Sequence, residues 1–166
     1  REALEAVGGQ IGSDMPFCVR GGTALAEGRG DLLTDLPPLP DCRFVICKPD
    51  FDLPTEPMFA RLRFDKSLPH PDVDGMSAAL KQGDLAGAAR CVGNVFETVL
   101  EPPERREIQR IKEALLRRGA LAAAMSGSGP AVFGLFSPEA ETNGALEELG
   151  RRYAQVFEAF PVGRLL

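Results

Sequence analysis

The chain has 166 residues, 44% of them apolar and 26% charged, and is long enough to bury a sizeable core. Its formal net charge of -5 argues against nonspecific attraction to nucleic acid or anionic membrane. No apolar stretch is long enough to span a bilayer and no charged-then-apolar leader pattern opens the sequence, so a soluble cytoplasmic protein with no nucleic-acid or membrane partner is expected.

Arg1 to Val7 has helical composition and predicts a helix ending at Gly8-Gly9, followed by a loop over Gln10 to Pro16. The residues after it, Phe17 to Glu27 and Gly30 to Leu36, read as a strand pair turning at Gly28-Arg29-Gly30. Pro37-Pro38-Leu39-Pro40 is the best domain boundary in the chain. Beyond it, Cys42 to Cys47 is a strand, and Asp50 to Thr55 a loop from which Thr55 could cap a helix over Glu56 to Leu62.

A proline-broken loop, Arg63 to Asp74, leads to a helical face formed by Met76, Ala79 and Leu80. Asp84 then caps a helix on which Leu85, Ala88, Ala89, Val92, Phe96 and Val99 share one face. Glu104 to Arg118 is a further helix with Ile108, Ile111 and Leu115 inward, and Gly119 ends it. Strands on either side of Ser126 to Pro130 follow. Ser137-Pro138-Glu139 reads as the start of a helix to about Tyr153, and Gln155 to Val162 as the last strand. With the extra helices set aside, the order from Asp41 is βαββαβ, an α+β ferredoxin-like layout of four antiparallel strands with helices on one face.

Chemistry-bearing patterns are few. The cysteines Cys18, Cys42, Cys47 and Cys91 lack zinc-site spacing and read as reduced thiols, and the single histidine, His70, lies between two prolines. Most histidine-based nucleophilic schemes are thereby excluded. Asp14, two residues before Pro16, sits where the backbone is steered into a turn that projects its carboxylate. Ser126-Gly127-Ser128-Gly129 joins two apolar runs, and its alternating glycines allow successive amides to face an anion. By physics alone a plain strand connection is the commoner meaning of such a turn, since no Lys follows in the phosphate-loop pattern.

The wider run Met125 to Phe136 resembles the third motif of the GHMP small-molecule kinases. Gly12-Ser13-Asp14-Met15-Pro16-Phe17-Cys18, with Gly21-Gly22-Thr23-Ala24 and Gly28-Arg29-Gly30, is similar to the members that phosphorylate a diphosphocytidyl-methylerythritol alcohol in non-mevalonate isoprenoid synthesis. The likeness covers essentially the whole chain, but only the back part of those enzymes.

The resemblance implies residues 1–40 as the tail of an N-terminal domain and 41–166 as the C-terminal domain. It also implies transfer of the ATP γ-phosphoryl group with Mg²⁺ neutralising phosphate charge. Asp14 matches the base that takes the hydroxyl proton, Thr55 a threonine beside the methylerythritol, and Phe59 an aromatic that stacks on cytosine. Arg29 is a further substrate-binding candidate. Gly127, Ser128 and Gly129 match a turn that supports the phosphate loop, and Ala131 stands where the family usually has a small polar residue.

The family's lysine near the N-terminus and its glycine-rich triphosphate loop have no counterpart here. Arg1 falls inside what reads as helix, so a fragment is expected, inactive alone, with no ligand bound tightly and with the N-terminal half of the same enzyme as its partner. The bland alternatives are a helix cap for Thr55, ordinary core for Phe59 and a turn former for Asp14. For the chain as a whole they are another GHMP kinase, or a ferredoxin-like binding or dimerisation module without catalysis.

Overall fold

The structure is a computed structural model that describes residues 2–63 and 68–163. Arg1 and part of the expected Arg63 to Asp74 loop lie outside the described residues. The elements from residue 41 onward are β3 (Arg43–Lys48), α3 (Thr55–Arg61), α4 (Val73–Gln82), α5 (Leu85–Arg90), a 3-10 helix (Val95–Val99), α6 (Pro102–Arg117), β4 (Ala122–Met125), β5 (Val132–Phe136), α7 (Asn143–Gly150) and β6 (Gln155–Ala159). Before them come α1 (Glu2–Ile11), α2 (Met15–Arg20) and the hairpin β1 (Ala24–Glu27) and β2 (Leu32–Asp35).

The four long-range strands pair in the order β4-β5-β3-β6, every pair antiparallel, with Val45 opposite both Gly134 and Glu158. This is the ferredoxin-like order that the βαββαβ reading calls for. Alternation along β3 sends Val45 and Cys47 to one face, where Ile108, Ile111 and Leu115 of α6 and Ala145 and Leu149 of α7 close the main core. The inserted helices add cover on the opposite face, where Phe44 and Leu135 meet Leu85, Ala89 and Val92. No helix among the described residues is long and apolar enough to cross a membrane.

Several local expectations give way to packing. The first helix runs through Gly8-Gly9 to Ile11, because Gly8 is where α2 crosses: a Cβ there would stand 3.2 Å from that of Met15. Phe17 to Arg20 belong to α2, which Pro16 opens from the first turn, so the strand starts only at Ala24. The helix capped by Asp84 stops at Arg90; Asn94 accepts from the Phe96 amide and starts the 3-10 helix, so Val92, Phe96 and Val99 do not share its face.

The next helix begins two residues early, at Pro102, because Glu101 and Glu104 form a reciprocal capping box and the prolines fit its first turn. Ser137-Pro138-Glu139 closes a turn instead of opening a helix: the Ala140 amide donates to Ser137, and the Pro138 carbonyl accepts from Arg43 Nε at 2.9 Å. The helix starts at Asn143 and ends at Gly150, and the last strand stops at Ala159, ahead of Pro161.

Candidate functional site

The turn between β4 and β5 is closed by its own backbone. Ser126 N–H donates to the Ala131 carbonyl at 2.7 Å, and Gly129 N–H to the Ser126 carbonyl at 2.9 Å. Ala131 therefore takes part through its backbone, which any residue there supplies. Gly127 and Gly129 have φ of 55° and 87°, and at Gly129 a Cβ would stand 2.4 Å from Met125 Sδ and 3.0 Å from Leu53 Cδ1. Glycine is required at that point by both backbone and space. The amides of Gly127 and Ser128 have no protein acceptor among the described residues and are open to an anion.

Helix α3 meets this turn from the side. Buried Met58 roots it, and Arg61 donates to Glu104 at 2.8 Å, tying it to α6. Burial pushes the Glu104 carboxyl up, but the Arg61 guanidinium and the Glu101 amide together outweigh that and hold it below the usual range. The Thr55 and Ser128 hydroxyls lie 3.1 Å apart. Thr55 is thus not a side-chain cap; Pro54 occupies that position and no side chain caps the helix. Phe59 is not core either, being 47% exposed, with its ring edge-on to Phe96 at 4.9 Å between centroids.

Beneath both lies the 3-10 helix, where the helical spacing of Val92, Phe96 and Val99 predicts an ordinary core helix. Asn94 Nδ2 donates to the carbonyls of Met125 at 2.6 Å and Gly127 at 2.8 Å. Glu97 accepts from the Met125 amide at 2.8 Å and is paired with Lys112. The signal that could have revealed this was Asn94 just after Gly93, a residue that caps more readily than it continues a helix.

Asp14 and Arg29 form a separate group in the N-terminal elements. Asp14 is exposed, in the turn ahead of α2. Its carboxylate accepts from Ser13 at 3.5 Å and faces Gly30, where a Cβ would stand 3.5 Å from Oδ1. Arg29 is 87% exposed at its side chain and pairs with Asp31 at 3.5 Å. The backbone amide of Arg29 is the main cause that lowers the Asp31 carboxyl. The structure therefore brings Thr55 to Ser128 and Phe59 to Phe96, and sets Asp14 beside the Gly28 to Asp31 turn. Among the described residues, no group of three or more His, Cys, Asp or Glu side chains gathers into a metal site.

A cavity of about 440 Å³ between the β1-β2 hairpin and α4 is walled by Leu25, Leu36, Phe44, Met76, Leu80 and Phe133. Neither Thr55, Phe59 nor the Ser126 to Gly129 turn lines it, so the polar chemistry lies elsewhere.

Comparison with known proteins decides the lineage. Residues 76–155 match the family described as GHMP kinases C terminal. The chain carries a GHMP kinase C-terminal domain. It is 43% identical over 147 residues to a 4-diphosphocytidyl-2-C-methyl-D-erythritol kinase of Lachnoclostridium phytofermentans, covering 89% of this chain and 50% of that one. Against the kinase of the same name from Geobacillus kaustophilus the figures are 41% over 164 residues, 98% and 55%. The chain thus spans about half the length of the curated relatives it matches.

Among solved structures, a 4-(cytidine 5'-diphospho)-2C-methyl-D-erythritol kinase superposes with a TM-score of 0.75 at 27% identity, covering 96% of this chain and 57% of that one. A homoserine kinase from Cytophaga hutchinsonii superposes with a TM-score of 0.70 at 20% identity, covering 90% of this chain and 51% of that one, a likeness of fold.

Proposed function

We propose that this GHMP kinase domain, with residues 1–40 as the tail of an N-terminal domain and 41–166 as the C-terminal domain, works with a segment equivalent to the first half of its relatives. Together they would phosphorylate a hydroxyl of 4-diphosphocytidyl-2-C-methyl-D-erythritol from ATP. The observation that carries the reading is the meeting of Thr55 with Ser128, which joins α3 to the glycine turn in one site. The 41% to 46% identity to kinases of that name supports this substrate over those of other members of the family.

In this reading Phe59 offers its open face to cytosine, and Thr55 lies toward the methylerythritol. The Gly127 and Ser128 amides face the phosphates, whose negative charge they would offset. Asp14 takes the hydroxyl proton as the oxygen bonds the γ-phosphorus, the bond from that phosphorus to the β,γ-bridging oxygen breaks, and ADP leaves. Nucleotide-bound Mg²⁺ would supply neutralisation of phosphate charge in this reaction; among the described residues no group of three or more His, Cys, Asp or Glu side chains gathers to hold it. Arg29 remains able to reach a substrate phosphate because its pairing with Asp31 is exposed and weak.

Leu4, Val7 and Ile11 of α1 are 56%, 56% and 75% exposed, an apolar stripe against which the complementary half would pack. Alone, the chain supplies an acid and part of a substrate wall and should not turn over. The test is a kinase assay of the chain alone and after addition of the separately expressed N-terminal half of the Lachnoclostridium phytofermentans relative. Activity only on mixing is expected, and turnover by the chain alone would refute the need for that half.

A further inference from the structure

We propose that the 3-10 helix Val95–Val99 is a bracket that sets the two halves of the substrate site separately, with Asn94 positioning the phosphate-facing turn and Phe96 positioning Phe59. The inference rests on the kinase reading above. Neither residue touches substrate in that reading; both act through a residue that does.

The case for Asn94 comes from peptide geometry. Its Nδ2 holds the Gly127 carbonyl at 2.8 Å and the Met125 carbonyl at 2.6 Å. A trans peptide is planar, so the Gly127 carbonyl and the Ser128 N–H point in opposite directions from one plane. Drawing the carbonyl down toward the 3-10 helix therefore turns the Ser128 N–H outward, to the side where an anion would bind. The Asn94 Oδ1 at the same time accepts from Phe96 N–H at 2.8 Å, so one amide group joins the turn to the helix beneath it. Glu97 adds a hold on the Met125 N–H at 2.8 Å, and Lys112 neutralises its charge close to where phosphate would sit.

The other half hangs from Phe96, two residues further on. The Phe96 ring meets Phe59 at 88° and 4.9 Å, fixing the plane of a side chain that is otherwise half open to solvent. The far end of the bracket is anchored too: Arg105 donates to the carbonyls of Thr98 at 3.2 Å and Leu100 at 3.0 Å, and Leu100 is buried. Two anchors two residues apart thus govern two different ligand groups, which predicts separable kinetic defects.

Asn94→Asp keeps the acceptor for Phe96 N–H but removes both donors to the turn, isolating the turn-holding role from the capping role. Phe96→Leu keeps apolar burial and removes the ring edge. In a full-length enzyme made by joining the N-terminal half of the Lachnoclostridium phytofermentans relative to this chain, Asn94→Asp should raise KM for ATP and lower kcat, each about tenfold, the scale of lost bonds to a charged group. KM for the cytidine substrate should stay within about twofold. Phe96→Leu should do the reverse, raising KM for the cytidine substrate about tenfold at unchanged KM for ATP, as loss of a stacking support would.

Hydrogen exchange on the 166-residue chain gives a readout without catalysis. Faster exchange at the Ser126 and Gly129 amides is expected in Asn94→Asp and not in Phe96→Leu. If both variants raise both KM values together, or Asn94→Asp leaves exchange and KM for ATP at wild-type values, the bracket is overturned. A wild-type fusion with no kinase activity overturns the kinase reading instead, and the inference with it.

Discussion

The Thr55 and Ser128 hydroxyls lie 3.1 Å apart although 73 residues separate them in the chain. The contact joins the start of α3 to the turn between β4 and β5, and it is exposed, so water competes for both groups. A double-mutant cycle of Thr55→Ala and Ser128→Ala in urea denaturation should therefore give a small coupling, about 0.5 kcal/mol. In the assembled enzyme Ser128→Ala should cost more in turnover than in stability. Coupling of zero together with unchanged turnover would show that the two hydroxyls meet without consequence.

Two glycines of the same turn should answer substitution differently. Gly129→Ala forces a Cβ against Met125 Sδ at 2.4 Å on a backbone with φ of 87°, whereas Gly127→Ala enters open space at φ of 55°. Alanine in the left-handed region costs roughly 1–2 kcal/mol, and the clash at Gly129 adds about 1–3 kcal/mol of overpacking. The order Gly129→Ala worse than Gly127→Ala should appear in urea midpoints; equal midpoints would mean that Met125 moves aside freely.

The element order was legible because the β-rich run Cys42 to Cys47 and the apolar runs flanking Ser126 to Pro130 are each set by local pattern. Thr55, Phe59 and the turn were legible only through resemblance, since a threonine before Glu56 caps helices far more often than it meets another loop. What stayed hidden was the bracket. Val92, Phe96 and Val99 keep helical spacing, and that periodicity outweighed the capping chemistry of Asn94, whose partners at Met125 and Gly127 lie 31 and 33 residues away. Long-range hydrogen bonds leave no trace in a local window. Similarly, Gly8 reads as a helix end when its neighbour Met15 is unknown.

The end of α7 is joined to α6 by a hydrogen bond from Tyr153 to Glu107 at 2.6 Å. Burial first, and the facing carboxylate second, push the Tyr153 phenol up to about 12. A raised folded value means that the folded state holds the proton more tightly. The contribution is full below the unfolded phenol's ordinary value of about 10 and is lost as pH rises toward the folded one. Stability should fall over that window, and Tyr153→Phe should flatten the part owed to the phenol. Burial also raises Cys47, to about 12, and Cys42, to about 11, so their thiols add an earlier alkaline loss that the variant leaves in place. Urea midpoints across the alkaline range, compared between wild type and variant, would test this; parallel curves would refute it.

Asp14 offers the sharpest separation of chemistry from fold. Its carboxylate is exposed, accepts from Ser13 at a long 3.5 Å, and provides no side-chain cap to α2. Asp14→Asn keeps the size and the acceptor oxygen, so stability should change by less than about 0.5 kcal/mol, as for surface positions without special contacts. As a base, however, asparagine cannot take the hydroxyl proton when the new bond to phosphorus forms. In the full-length fusion kcat should fall about a hundredfold or more, the scale of removing a positioned base, while KM for ATP stays near wild type because the glycine turn is untouched. Hydrogen exchange at the amide of Gly30, the residue that faces Oδ1, should also remain normal. Near-normal turnover in Asp14→Asn would return this residue to the role of turn former and move the search for the base to the complementary half.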